Sequence, residues 1–67
     1  MKSVLDFKKK EIDKLPLTIL IELLSVTQQE CFQYALKIYE QTRLMKLLKR
    51  REYVAKVIYD FCKAKYR

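Results

Sequence analysis

The chain has 67 residues, of which 51% are hydrophobic and 34% charged, with a formal net charge of +7. That length bounds it to one domain with a thin core, and its apolar share separates it from disordered chains. It holds no Gly, Asn or His, which excludes tight β-hairpins, glycine-rich phosphate loops and histidine-based catalysis.

Lys, Glu, Leu, Gln and Arg dominate, and all are helix formers. The expected fold class is all-α, a small bundle of three to four helices spanning residues 1–67 as one domain. Cys31 and Cys62 form neither a CxxC pair nor a zinc-ligand spacing. They read as reduced thiols packed as small hydrophobes.

In chain order, Ser3 and Asp6 form an S-x-x-D capping pair. It predicts a helix over about 4–14, with Leu5, Ile12 and Leu15 in register and Phe7 beside them. Lys8, Lys9 and Lys10 lie among Asp6, Glu11 and Asp13 and read as a solvated face. Pro16 pushes Leu15 out of the α region and suits the first turn of a new helix. That helix runs from Pro16 to about Ser25. Thr18, Glu22 and Ser25 share one wedge, while Leu17, Ile19, Leu20, Ile21, Leu23 and Leu24 cover the rest. Such a helix is expected to be buried on most sides. The apolar run 15–26 contains Glu22, lacks a small-residue cleavage site and is shorter than the roughly 20 residues that span a bilayer. The reading is a soluble protein of the cytoplasm.

Thr27 and Glu30 make a second capping pair, T-x-x-E, expected to start the longest element. From Gln28 to Arg67 there is no Gly, Pro, Asn or Ser. Two apolar stripes occupy this stretch. Cys31, Phe32, Ala35, Leu36, Ile38, Tyr39 and Thr42 form one. Leu44, Leu47, Leu48, Val54, Ala55, Ile58, Phe61 and Cys62 form the other, offset by roughly 140° on a single helical axis. Either the helix breaks near Arg43–Lys46 or Lys49–Glu52, or it runs on and packs two different neighbours. The break is the preferred reading.

Charge is polarised along the chain. Residues 1–42 hold six basic and six acidic side chains, whereas residues 43–67 hold nine basic and two acidic, so the whole excess of +7 lies in the last 25 residues. Arg43, Lys46, Lys49, Arg50, Lys56, Lys63 and Arg67 fall on the side away from the second stripe. A cationic ridge backed by an apolar face suits phosphate backbones. Tyr53, Tyr59 and Tyr66 are interleaved and positioned to stack on bases. Arg51 falls inside the apolar stripe, where it snorkels, marks a break or meets a carboxylate. Competing readings are a solvated face, an acidic protein partner and an anionic membrane surface.

The eight acids are scattered, and no acid–base couple stands out. Neither enzymatic activity nor a cofactor, metal or small-molecule substrate is expected. The Lys14-Leu15-Pro16 lead-in to an apolar helix, followed by Arg50-Arg51-Glu52-x-x-x-Lys56-Val57-Ile58, resembles helical subunits of GINS-type replication complexes. The resemblance covers scattered positions and implies no role for any residue.

The sequence thus points to a small basic accessory or regulatory subunit. Its last helix would contact DNA or RNA phosphates, and apolar helices would join it to a second copy or a larger protein. Leu17, Leu20, Leu24, Leu48, Ile58 and Phe61 are the candidate partner interface. The alternative is a pure protein-interaction subunit that docks those helices without touching nucleic acid. A role at a membrane is not expected.

Overall fold

Ser3 sets the first turn of the chain, but through a longer reach than its local capping pattern implies. Its Oγ accepts from the Leu5 N–H at 3.4 Å and donates to Glu30 Oε2 at 3.0 Å. The computed structural model describes residues 3–65. They form a 3₁₀ turn, Val4–Asp6, then α1, Lys9–Asp13, and α2, Leu17–Ala35. A second 3₁₀ turn, Ile38–Glu40, leads into α3, Gln41–Lys65. No strand occurs among the described residues, and the class is all-α.

The helix expected over 4–14 is split. Phe7 and Lys8 are extended, with ψ of 140° and 155°. The reason is register. Val4 and Ile12 are both fully buried, yet eight residues on one helix would set them about 80° apart. Two short turns bring both inward. The capping contact that does form joins the Lys8 N–H to Glu11 Oε1 at 3.2 Å. Pro16 stands just before α2 at ψ 156°, and its carbonyl accepts from the Leu20 N–H at 3.0 Å.

α2 does not stop near Ser25. It runs through the second expected capping pair, and Thr27 is buried in mid-helix. Its hydroxyl donates back to the Leu23 carbonyl at 2.6 Å, which satisfies it without a neighbouring element. Glu30 accepts from Ser3 instead of closing a box with Thr27.

The break expected within 43–52 lies upstream, at 36–40. Leu36 is still helical, but Lys37 is extended at φ −109° and ψ 106°. The Leu36 and Lys37 N–H groups donate to Gln33 and Tyr34 carbonyls at 3.4 and 3.1 Å. α3 then continues without interruption through 43–52. No described residue has a positive φ, so this reversal needs no glycine and leaves no mark in the composition. The aromatic and β-branched pair Ile38-Tyr39 weakens helix propensity locally.

A connection this short folds α3 back along α2, and that pair makes the main interface of the molecule. The core is Val4, Ile12, Leu20, Leu23, Cys31, Leu47 and Val54, so all three segments contribute. Leu20 is fully buried there, which removes it from any partner interface. Leu24, Leu48 and Ile58 pack half-buried on the same core, Leu17 is half-buried and Phe61 is exposed. α2 is also less enclosed than its composition implies, because Ile21 is 53% exposed. Of the first stripe, Cys31 alone is buried; of the second, Leu47 and Val54 are.

Burying a leucine fully stabilises by about 1.5–3 kcal/mol. Leu20→Ala should therefore cost about 2–5 kcal/mol, the transfer term plus a residual cavity. Thr27→Val should stay within about 1 kcal/mol, because the lost hydroxyl bond is local. Urea denaturation of both variants checks this, and a near-neutral Leu20→Ala would contradict the packing described.

Candidate nucleic-acid interface

The outward face of α3 presents Lys46, Lys49, Arg50, Tyr53 and Lys56, a spacing that keeps them on one side of a helix. These residues, with Leu5, Lys9 and Glu52, line an open cleft of about 630 Å³. Lys9 reaches it because α1 is pinned across α3. Ile12 anchors α1 in the core, and Tyr53 fixes its outer edge. The Tyr53 hydroxyl donates to Asp13 Oδ1 at 2.5 Å. Lys9 Nζ stands 5.3 Å from the centre of the Tyr53 ring, a cation–π contact.

Five cations and one carboxylate, Glu52, thus surround a single cleft. Arg50, half-buried, is among the residues that line it. Nη1 is buried and has no hydrogen-bond partner. A buried charged donor left unpaired is costly, and the planar guanidinium fork matches the oxygens of carboxylates and phosphates. The half-burial of Arg50 follows from its position at the margin of the core-facing side, one turn from Leu47 and Val54.

Of the seven basic residues singled out from sequence, four converge here: Lys46, Lys49, Arg50 and Lys56. Arg43 is turned toward the helical hairpin's tip, 5.2 Å from the ring centre of Tyr34, which also carries Lys37 at 5.3 Å. It borders a neighbouring depression with Lys46. Lys63 is exposed about two turns beyond Lys56 and does not line the cleft. Arg67 and Tyr66 lie outside the described residues. Lys9, which reads as part of a solvated face, is the member that sequence reasoning missed. No local pattern marks it, since α1 docking alone brings it to α3. Tyr53 is engaged by Asp13 and Lys9 rather than free to stack, whereas Tyr59 is exposed.

Arg51, inside the apolar stripe, is half-buried toward α2. Burial pushes the Cys31 thiol above its ordinary 9.0, the Arg51 charge opposes that rise and Glu30 adds to it. Both cysteines are free. Among the described residues no group of three or more His, Cys, Asp or Glu could hold a metal ion, and no helix is long and apolar enough to cross a membrane.

A second surface feature lies at the tip between α2 and α3. Phe32, Leu36, Ile38 and Tyr39 are 73–93% exposed. These side chains are the part of the first apolar stripe that finds no cover within the chain.

The Tyr53–Asp13 bond sets a pH dependence. That hydrogen bond, with a smaller effect of burial, raises the Tyr53 phenol above its ordinary 10.0. A group whose folded pKa is raised stabilises fully below the unfolded value. Its contribution should persist up to about pH 10 and fall away as pH climbs through the raised folded value. Tyr53→Phe should therefore lose less stability than the parent above pH 10, and ultraviolet titration should lose its latest-ionising phenol. If the phenol lost in Tyr53→Phe ionises at or below the ordinary 10.0, the bond is refuted. Neither a family model, nor a curated protein, nor a solved structure matches the chain.

Proposed function

We propose that this chain is a small basic accessory subunit that grips DNA or RNA phosphates in the α1–α3 cleft. The observation that carries the reading is the set of five cations, Lys9, Lys46, Lys49, Arg50 and Lys56, that line one open cleft against the single carboxylate of Glu52. Phosphate oxygens suit the exposed lysine ammonium groups, which supply Coulomb attraction and counterion release. Lys46 to Lys56 spans about 15 Å along α3, and Lys63 extends the track by about 10 Å more. Contacts of this kind position a backbone without reading its sequence. The reading assigns the chain no catalysis and no cofactor.

Measured across a salt series, log affinity should fall against log salt with a slope of roughly −3 to −5, one step of about 0.7–0.9 per phosphate contacted. The combined change Lys46→Glu, Arg50→Glu and Lys56→Glu should abolish binding while circular dichroism stays helical. Arg43→Glu should weaken it less, since Arg43 is spent on Tyr34. Salt-independent binding, or full affinity in the triple variant, would overturn the reading.

The exposed tip favours a second activity for the same chain, association with a second copy. Residues 36–40 carry Lys37 and Glu40 and sum to zero, and Arg43, turned toward the tip, adds one positive charge of the +7 held by residues 43–67. Two copies can therefore meet through Phe32, Leu36, Ile38 and Tyr39 without forcing their basic ridges together. Light scattering should show a concentration-dependent dimer that Phe32→Ser with Leu36→Ser returns to monomer. A parent protein that stays monomeric at about 100 μM, where even a weak interface is populated, would dismiss self-association and leave the phosphate reading untouched.

A further inference from the structure

We infer that the cationic face of α3 takes single-stranded nucleic acid in preference to duplex, with Met45 and Tyr59 as its contacts to the bases. The inference rests on the phosphate reading above and gives it a substrate class. Met45 and Tyr59 are 58% and 64% exposed. At roughly 100° per residue they share one wedge of about 80° along α3 with Lys49, Lys56 and Lys63. All three lysines are exposed as well. The order along this ridge is apolar, cation, cation, aromatic, cation, over about 27 Å of helix.

Large apolar side chains standing among cations need a ligand with apolar faces beside its phosphates. Bases supply those faces only when they are free. In a duplex they are stacked on one another, and covering one means unstacking a step. A single strand splays its bases, so each can lie on the Tyr59 ring or the Met45 thioether while the lysines hold its phosphates. The layout of charge agrees. Lys49, Lys56 and Lys63 run in single file, seven residues or about 10 Å apart, drifting about 20° per step. Lys9, Lys46 and Arg50 widen that file only at the cleft. Glu52 and Asp60 are exposed on either side of it, where a carboxylate repels a second backbone. The ridge thus follows one strand, with space beside it for bases.

The test titrates the full chain, at one salt concentration, with a single-stranded DNA, its duplex and an abasic strand of equal length. Phosphate contacts alone favour the duplex, whose charge density and salt slope per contact are higher. The single strand should instead bind more tightly than the duplex, on the order of tenfold, and the abasic strand should fall short of it by a similar factor. Met45→Ala with Tyr59→Ala should erase the preference and leave helicity unchanged, since neither side chain belongs to the core. Tyr59→Phe should keep it, because a phenyl ring stacks as well. A duplex bound as tightly as the single strand, an abasic strand of full affinity, or an undiminished preference in the double-alanine variant would each overturn this inference and leave phosphate binding intact. No binding of any of the three would overturn both.

Discussion

Everything in this molecule depends on α3 folding back onto α2, so that Leu20 and Leu23 share one dry cluster with Leu47 and Val54. Two helices of 19 and 25 residues have no other means of burying an apolar face in so short a chain. The resulting core is small, and the hairpin alone leaves part of it open. Val4 and Ile12 close it from the N-terminal segment, which explains why that segment breaks into two short turns instead of forming one helix. The same closure carries Lys9 onto α3. Completing the core and assembling the cationic cleft are thus one packing event.

The cleft itself works against stability. Gathering five cations around one volume raises their mutual repulsion, and an unpaired buried guanidinium donor adds a desolvation cost. Local sites of this kind sit where a structure departs from what stability alone would select. The polar contacts that hold α1 in place are few and specific, Ser3 to Glu30 and Tyr53 to Asp13. Each joins an N-terminal residue to a long helix across at least 27 positions of sequence.

The two ends of the hairpin differ in chemistry. The basic face of α3 is suited to polyanions, whereas the tip at 36–40 exposes aromatic and aliphatic side chains around an almost neutral turn. This separation puts the cationic and the exposed apolar surfaces on different parts of the hairpin. Arg51 belongs to neither. It lies at the α2–α3 boundary, where its charge opposes the burial-driven rise of the Cys31 thiol.

The sequence by itself determined the all-α class, the punctuation at Pro16, the confinement of the net positive charge to residues 43–67 and four of the cleft residues. Each is a local property: propensity, one residue's fixed φ, or spacing along a single helical face. The offset between the two apolar stripes pointed to a break, or else to one helix packing two neighbours, because a single straight helix cannot present both to one core. Its position at Lys37 was hidden, since a turn made with negative φ throughout requires no glycine. Capping pairs misled for a related reason. Thr27 finds its acceptor one turn back within the helix, and Ser3, which does cap the first turn through the Leu5 N–H, caps only a 3₁₀ turn and also donates to Glu30 across space. Packing buried Leu20 in the chain's own core and brought Lys9, still exposed to solvent, to the cleft on α3. What decides them is which helix faces which, a matter of long-range burial that no window of sequence contains.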